Sequence, residues 1–564
     1  MRKSLLVVVI AMTFSTTLAA QTKGKDAQPT ATTTNAAVPP AAAGAVKSIS
    51  KERIREHIRF LSHDLLEGRG TGQRGGDIAA EYIATQFALS GLKPMGANGS
   101  YMQKVPLVGV TTMPESTFTL VPAKGAPMKL AFKDEWVAYN ETLSDKADIN
   151  ADIVWVGFGI TAPEYQWDDF KGMDVRGKVL LMLVSEPASE EEKFFKGKAL
   201  TYYGRWTYKY ENAARHGAAG VILIHRTDMA SYGWEVVRNS NSGEKAYLRT
   251  KGPKLQSAGW IQLANAYQLA TACGMDLTQM FKDAQARDFQ PRAIGAKLQA
   301  AIVSNVRSME SNNVVAMLPG SDLKLKDEAV IFTAHYDHLG IRPDVKGDNI
   351  YNGANDNATG VGMLLEIAHA LAESKTRPKR SLLFAAVTAE EQGLRGSEYL
   401  GQNPPIPAGK ISLNLNFDDI PPLGEPEELI ALGSERSDFY PVVQATTKGF
   451  GMELQPDLRP ERGSYYRSDH FSMSRVGIPA FSVKEGDKFK GHPVEWGHQK
   501  AEEYNTKDYH QPSDQFDPNG DYTANAKLAQ FLIALGWKAA DQPQMVRWLP
   551  GDEFEAARKA SQGK

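Results

Sequence analysis

From about residue 310 onward, short apolar runs alternate with segments whose apolar residues recur at helical spacing. The runs predict strands over 330–333, 381–388, 411–417 and 478–483, and the periodic segments predict helices over 358–373 and 522–540. Strands that alternate with helices are typical of a mostly parallel, doubly wound sheet. We therefore predict an α/β fold whose ligands bind beyond the carboxyl ends of the strands.

A different pattern occupies the middle of the chain. Apolar runs at 151–160, 178–184 and 217–225 predict a further β-rich α/β unit. The segments on either side complete one domain when they are joined, so residues 145–300 are predicted to be an insertion. The interrupted domain would then comprise residues 47–144 and 301–542, followed by a loosely held tail at 543–564.

The first 46 residues have the pattern of an export signal followed by a spacer. Arg2 and Lys3 precede an apolar run at 5–12 that is too short to span a bilayer, and small residues follow it. Residues 1–20 are therefore predicted to be a signal peptide, and the protein to be periplasmic or secreted. The Ala/Thr/Pro-rich segment 21–46 is predicted to be a disordered linker. No later stretch is apolar for long enough to predict a membrane span.

Composition excludes several classes of function. The 564 residues carry a formal net charge of -2 and show no basic stripe, which argues against nucleic-acid binding. Cys273 is the only cysteine, so the chain has no internal disulfide and no cysteine cluster for zinc. Any zinc would have to be bound by histidine and carboxylate side chains.

Five short stretches supply such side chains, and four of them lie at or just beyond predicted strands. They read AHYDHLG (334–340), NGANDNATGVG (352–362), TAEEQG (388–393), NLNFDD (414–419) and DYHQPSD (508–514). A two-metal site needs roughly five protein ligands, one of them a carboxylate shared by ions about 3.5–4 Å apart. It also needs a carboxylate that binds no metal and can move a proton. The five stretches together provide this set.

Residue types and spacing leave some roles open at this point. His335 ends a strand, and Asp337 two residues later is expected to orient its ring. Asp356 lies in a tight Asn/Gly turn that suits a shared carboxylate. Of the adjacent pair Glu390 and Glu391, one is expected to bind metal and the other to act as general base. The pair at 418 and 419 is expected to provide one ligand.

The HxD, NDNATG, EE and YHxPSD elements in this order resemble the co-catalytic di-zinc exopeptidases, which include bacterial leucyl aminopeptidase and glutamate carboxypeptidase II. The resemblance covers roughly residues 50–140 and 305–540, and the segments DVRGKVLLMLV (174–184) and AARHGAAGVILI (213–224) resemble a protease-associated domain. It implies two Zn²⁺ per chain: His335 and Asp418 on one, Glu391 and His510 on the other, with Asp356 bridging. It further implies that Glu390 is the general base and that a cis peptide bond can follow Asp356.

The resemblance also suggests a tyrosine that supports the reacting carbonyl. Tyr465 is the first candidate, since it stands three residues before Ser468, and Tyr466 and Tyr509 are its rivals. His338 and His470 are expected to be structural, because the implied metal ligands are already complete without them.

The function predicted is that of an exported metallo-exopeptidase, an aminopeptidase that removes N-terminal residues from peptides with a free amine. A carboxypeptidase of the same fold is the first alternative, and Arg459, Arg462 and Arg467 are candidates for binding a substrate carboxylate. A glutaminyl cyclase is a second alternative, since that branch of the family uses a single zinc. A non-enzymatic receptor is a third, although such a protein is expected to have lost ligands.

Overall fold

The computed structural model describes residues 37–191, 193–343 and 345–563. The predicted signal peptide and most of the predicted linker lie outside these residues. The end of that linker is ordered, which differs from the prediction: Pro40–Ala42 form a 3₁₀ turn and Ala43–Ser48 an α-helix. Ala42 and Ala45 are buried in the main core, so small apolar side chains anchor a segment whose composition predicted disorder.

Four parallel strands form the centre of the first sheet, in the order Ser381–Val387, Ala329–His335, Ile411–Asn416 and Ala480–Glu485. Along the second of these, Val330 and Phe332 face one core and Ile331 faces another. Burial on both faces explains the unbroken apolar run in the sequence. The strand that is first in the chain lies between the second and the third, which creates a topological switch point at its carboxyl end.

Further strands and two helical layers complete this first region and confirm the predicted mostly parallel α/β fold. The additional strands are Lys93–Pro94, Met102–Thr112, Lys245–Leu248, Arg292–Leu318, Glu428–Leu432 and Glu453–Gln455. One face is covered by helices Lys51–Leu61, Arg74–Leu89, Thr359–Glu373, Tyr440–Gly449 and Thr523–Asp541. The other face is covered by Arg395–Gln402 and His470–Arg475, and Trp496–Lys507 lies near the carboxyl edge of the sheet.

A second sheet has its own core, which includes Trp155, Leu181 and Ile222. Its strands are Thr117–Pro122, Met128–Lys129, Trp136–Tyr139, Lys146–Trp155, Val179–Leu183, Gly220–His225 and Ser257–Gln262. Its helices are Trp206–Arg215, Thr227–Ala230, Trp234–Ser240, Leu263–Ala272 and Leu277–Asp283. The strand Arg292–Leu318 is long enough to pair in both sheets. The second core also uses Phe118 and Trp136, which precede the predicted boundary at 145.

The C-terminal tail packs onto the first region, whereas the sequence predicted that it is loosely held. Val546, Trp548 and Phe554 are buried, and the indole of Trp548 donates a hydrogen bond to the carbonyl of Gly477. The chain then forms a final helix, Glu555–Ser561. Among the described residues, no helix combines the length and the apolar character needed to cross a bilayer.

Candidate metal centre

Asp356 lies at the centre of the site and presents its two carboxylate oxygens to opposite sides. Oδ1 is 3.3 Å from Nε2 of His335, and Oδ2 is 3.3 Å from Nε2 of His510. The turn that carries Asp356 is fixed by Asp514, whose carboxylate accepts hydrogen bonds from the backbone N–H groups of Asn355 and Asp356. The Asp356–Asn357 peptide bond is cis, as the resemblance implies.

On one side of Asp356, the carboxyl ends of two adjacent parallel strands bring His335 and Asp418 together. His335 Nε2 lies 3.1 Å from Asp418 Oδ1, while Asp418 Oδ2 accepts a hydrogen bond from Ser468 Oγ at 2.6 Å. Burial alone would lower the pKa of His335, but the charges of Asp418 and Glu390 raise it well above its usual value. This pair lies at the switch point of the first sheet, where an α/β fold binds its ligands.

The Asp337 carboxylate does not orient His335 as the sequence predicted. Nδ1 of His335 lies 3.1 Å from the backbone carbonyl oxygen of Asp337 but 3.9 Å from its carboxylate. That carboxylate accepts hydrogen bonds from Thr71 Oγ1 and from the backbone N–H of Glu390 instead. A backbone carbonyl therefore sets the ring orientation, and the Asp337 side chain fixes the segment that carries Glu390 and Glu391.

On the other side of Asp356, Glu391 and His510 meet. Nε2 of His510 is 3.0 Å from Glu391 Oε2, and Tyr509 stacks on the His510 ring with centroids 4.0 Å apart. The second ring nitrogen, Nδ1, forms a 3.0 Å hydrogen bond with Ser240 Oγ, from the chain segment that was predicted to be an insertion. Burial opposes protonation, but Glu391 and Asp356 raise the pKa of His510 to about 10.

Glu390 lies next to both pairs and lines both cavities described below. Burial raises the pKa of its carboxyl group well above the usual value, and the charges of Glu391, Asp469 and Asp418 raise it further, against a lowering by His335. A carboxylate with a raised pKa beside the site is a suitable proton acceptor and donor. Glu391, by contrast, faces His510 and Asp356.

The two adjacent aspartates point to different partners. Asp418 faces His335, whereas Asp419 adopts a left-handed backbone conformation, with φ of 53°, and accepts a hydrogen bond from Tyr504 at 3.1 Å. The choice of Asp418 over Asp419, which sequence spacing left open, therefore agrees with this geometry.

The structure does not bring Tyr465 to the site, which corrects the prediction that it supports the reacting carbonyl. Its hydroxyl is buried, shares a 2.8 Å hydrogen bond with Ser474 Oγ and lies 3.3 Å from the carbonyl oxygen of Ala480. Its ring packs against the Arg436 guanidinium at 4.7 Å. Tyr509, which was a rival candidate, lines both cavities and contacts His510.

Two further histidines, both expected to be structural, differ in their surroundings. His470 is buried against the ring of Tyr465, and burial lowers its pKa to about 3. His338 lies at the site itself, with Nδ1 2.6 Å from Glu391 Oε1. Its place in the sequence, three residues after His335, is the signal that could have drawn attention to it.

Two cavities border these residues. The larger, of about 520 Å³, is lined by Asp356, Glu390 and Asp418 and extends toward Glu485 and Tyr504. The smaller, of about 330 Å³, is lined by Glu391 and by residues of the second region such as Arg205. Glu390 and His510 border both, so a substrate that spans the two cavities would pass over the site.

The donor set fits divalent metal ions. Two groups of side chains, His335–Asp356–Asp418 and His338–Asp356–Glu391, each place their donor atoms within 4.8 Å of one another and share Asp356. Imidazole nitrogens with carboxylate oxygens are the ligands that zinc accepts when cysteine is absent. Arg69 is buried nearby, but its guanidinium donates to the backbone carbonyls of Tyr336 and Gly353 and forms no pair with these acids.

Comparison with known proteins identifies the region that carries this site. Residues 313–535 match the model of Peptidase family M28. A curated relative, leupeptin-inactivating enzyme 1 of Streptomyces exfoliatus, is 30% identical over 214 residues, which are 37% of this chain and 46% of that protein. A probable zinc metalloprotease of Pyrenophora tritici-repentis is 35% identical over 107 residues, or 19% of this chain and 21% of that protein.

These matches cover less than half the length of each of the two relatives. A solved structure extends the likeness in fold to most of the chain. An aminopeptidase from Aneurinibacillus sp. strain AM-1 aligns with 90% of this chain and 98% of its own, with a TM-score of 0.52 and 20% sequence identity. At that identity the likeness is one of fold.

Proposed function

We propose that this chain, whose residues 313–535 match the model of Peptidase family M28, is an exported zinc aminopeptidase that binds two Zn²⁺. The observation that supports this proposal is the position of Asp356, whose two oxygens each lie 3.3 Å from the imidazole of a different donor pair. A carboxylate that bridges two ions needs this arrangement. The match to Peptidase family M28 supports peptides as the substrate, and the name of the probable zinc metalloprotease supports zinc as the metal.

The side chains on each side of Asp356 would hold one ion each. His335 and Asp418 would bind the first, and Glu391 and His510 the second. Bound in this way, the ions would polarise the scissile carbonyl and lower the pKa of the attacking water toward neutrality. All other steps are performed by the chain's own residues.

Glu390 is the general base in this proposal. Its carboxylate accepts a proton from the attacking water and delivers it to the nitrogen of the leaving amine. The raised pKa of Glu390, caused by burial and by neighbouring acids, is consistent with a group that must carry that proton between the two steps. Tyr509, beside His510 and in both cavities, replaces Tyr465 as the candidate for contacting the reacting carbonyl.

The larger cavity offers carboxylates for a substrate's free amine. Oε2 of Glu485 is shielded from solvent and has no hydrogen-bond partner among the described residues. Asp419, held by Tyr504, lines the same cavity. A protonated amine placed there would be paired with charge inside a partly buried site, and such pairing makes hydrogen bonds strong. A substrate with a blocked N-terminus would leave these carboxylates without a partner.

The experiment is to replace Glu390 with Gln and to measure both zinc content and hydrolysis of aminoacyl-p-nitroanilides. We expect kcat to fall by about 10²–10⁴-fold, because general acid–base catalysis typically contributes that much, while zinc content is unchanged. Glu373→Gln, at the exposed end of a helix, is a matched control that should keep full activity. Near wild-type turnover of Glu390→Gln with zinc bound would remove Glu390 from the base role.

A carboxypeptidase remains the second candidate, because a specific feature of the smaller cavity favours it. Arg205, Lys245, Arg395 and Arg467 all line this cavity. Nε of Arg205 is shielded and has no hydrogen-bond partner in the described structure, and burial, together with the charge of Arg467, lowers the pKa of Arg205 to about 10. A substrate carboxylate bound in this cavity would provide Arg205 with a negatively charged partner.

Two of the three arginines that the sequence suggested for binding a substrate carboxylate, Arg459 and Arg462, are less available for that role. Arg459 pairs with Asp487 and Arg462 with Glu502, so these two cations already have partners. Comparing a dipeptide with a blocked N-terminus against one with a C-terminal amide separates the two activities. Cleavage of only the N-blocked peptide would favour the carboxypeptidase, and cleavage of only the C-terminal amide would favour the aminopeptidase.

A further inference from the structure

His338 lies inside the site, although nothing in the five-ligand scheme requires it. The side chain is fully buried, and its Nδ1 lies 2.6 Å from Glu391 Oε1 and 3.8 Å from Asp356 Oδ2. Its backbone N–H donates to the carbonyl of Arg69, and its ring lies so close to Gly353 that an added Cβ there would be 2.6 Å from Cγ of His338. The imidazole is therefore held in place from both sides.

His338 and His510 flank the same two carboxylates. Each oxygen of Glu391 faces a different imidazole, since Oε1 is nearest to His338 and Oε2 to His510. The two rings lie 5.7 Å apart at an angle of 76°, so their nitrogens converge on the carboxylates without stacking. Glu391, Asp356 and the two histidines thus surround one side of the site.

The contact between His338 and Glu391 is short but does not have the geometry of a hydrogen bond. Both Nδ1 of His338 and Oε1 of Glu391 are shielded from solvent and lack a hydrogen-bond partner among the described residues, despite their 2.6 Å separation. Together with a carboxylate oxygen of Asp356, these two side chains place their donor atoms within 4.8 Å of one another, which is close enough for one cation to contact all three.

The opposite ring nitrogen has a suitable environment for this role. A histidine that binds metal through Nδ1 carries its proton on Nε2, which normally donates to a carbonyl, carboxylate or water. A separate cavity of about 20 Å³, lined by His338, Gln73, Glu244 and Gln392, borders the ring. A cavity needs about 10–15 Å³ to hold one water, so this one can provide the acceptor.

We propose that His338 is a further metal-binding residue, which ligates through Nδ1 the ion held by Glu391, His510 and Asp356. The inference rests on the proposed two-zinc function. It makes the two sides of Asp356 unequal: one ion has His335, Asp418 and Asp356, and the other has four protein ligands. The four-ligand ion is the one that the protein binds more tightly.

The first test counts ligands in the whole protein loaded with zinc. X-ray absorption at the zinc edge should give about three imidazole nitrogens for every two zinc ions, instead of two, if His338 is a ligand. Stepwise removal of zinc by a chelator should release one ion well before the other. An imidazole count of two for two bound ions would overturn the inference and leave the proposed function intact, whereas a protein that binds no zinc would overturn both.

The second test replaces His338 with Asn, whose polar amide reaches as far as Nδ1 but is a poor zinc ligand. We expect the affinity for the tighter zinc ion to fall by at least about tenfold, because disturbing even an outer partner of a zinc ligand costs about 10–100-fold. The affinity for the other ion should change much less. Unchanged binding of both ions would show that His338 is not a metal ligand.

His225→Asn is the matched control, because His225 is also buried with both ring nitrogens unpartnered in the described structure but lies in the second region, where it contacts Tyr232, Trp234 and Trp260. It should leave zinc binding unchanged. Circular dichroism of both variants checks that they fold. If His338→Asn does not fold, the imidazole count on the unmodified protein decides whether His338 is a metal ligand.

Discussion

The second sheet buries Asp169 and Glu186 within electrostatic reach of Lys209, whereas the carboxyl edge of the first sheet gathers more carboxylates around imidazoles. In the second region, Glu186 accepts hydrogen bonds from the backbone N–H and the hydroxyl of Thr201, and Asp169 accepts them from Ile160 and Trp167. Burial raises the pKa of both acids and lowers that of Lys209, and each charge moderates the shift of the others.

The first region has more buried acid than buried cation around its site. Asp356, Glu390, Glu391 and Asp418 are close together, and two buried cations within electrostatic reach of them, Arg69 and Lys245, donate to backbone carbonyls rather than to these carboxylates. Protons drawn onto His335 and His510 compensate part of the remaining negative charge. Imidazole must be neutral to bind metal, so cations from solution can replace those protons. A buried acid excess beside imidazoles is therefore suited to an external cation, whereas the acids of the second region have a cation within the fold.

Removing the metal should have the largest effect, and only in the first region. A ligand present at a thousand times its Kd stabilises the folded state by about 4 kcal/mol, so each zinc ion lost to a chelator should cost roughly that amount. Hydrogen exchange, followed peptide by peptide, should show faster exchange around the carboxyl edge of the first sheet and unchanged exchange in Val179–Leu183 and Gly220–His225. An equal increase in hydrogen exchange in both regions would contradict the proposal that only the first region depends on a bound metal.

Removing the internal cation is the corresponding experiment in the second region. Lys209→Met leaves Asp169 and Glu186 buried without their counter-charge, and uncompensated buried charges destabilise proteins by about 3–5 kcal/mol. Urea unfolding should detect the loss, and zinc content should stay the same. Adding Asp169→Asn and Glu186→Gln should restore most of the stability. Lys178→Met is the control, because its ion pair with Asp152 is exposed.

The strands were predictable because burial on both faces of the first sheet leaves an apolar signature in the sequence. The strand predicted around Val330 is observed as Ala329–His335, and the helix predicted over 522–540 is observed as Thr523–Asp541. The acids and histidines that end these elements were predictable as a group for the same reason, since parallel strands in one sheet bring their carboxyl ends to one edge.

The roles of individual side chains depend on contacts that are distant in sequence. The Asp337 carboxylate accepts a hydrogen bond from Thr71, which lies 266 positions earlier in the chain. The sequence around Asp337 therefore does not show that this carboxylate fails to orient His335. His338 approaches Glu391 only after two strands have paired. The tail at 543–563 and the residues from 40 to 47 show no hydrophobic periodicity of their own, and their burial depends on core surfaces formed elsewhere.

Glu485 provides a third case, an acid outside the proposed ligand set whose pKa the neighbouring charge of Lys484 lowers less than burial raises it. Burial raises its pKa to about 7 from 4.5, so the folded state holds the proton more tightly than the unfolded state. Its contribution to stability is therefore lost as pH rises from 4.5 through about 7. Glu485→Gln should raise the free energy of unfolding by about 1–2 kcal/mol at pH 8 and much less at pH 5. Urea unfolding at both pH values measures this difference.

Steady-state kinetics of Glu485→Gln test a second property of this residue, its role in substrate binding. If Glu485 pairs with a substrate amine, Glu485→Gln should raise KM for free-amine substrates while kcat changes less, since an interaction made equally in the ground and transition states affects binding alone. An unchanged KM would remove Glu485 from amine recognition without altering its effect on stability.

The smallest effect is expected at Tyr465, where a site role and a core role give different results. In Tyr465→Phe the ring still packs on Arg436, and only the hydrogen bond with Ser474 and the longer one donated to the Ala480 carbonyl are lost. A typical hydrogen bond contributes about 0.5–1.5 kcal/mol to stability, so unfolding should change by that amount and turnover should stay within about twofold. Tyr509→Phe, which alters a hydroxyl in both cavities, is the comparison. A greater loss of kcat in Tyr465→Phe than in Tyr509→Phe would indicate that Tyr465 acts in the reaction after all. Loss of a hydrogen bond in the core does not by itself slow a chemical step that takes place elsewhere.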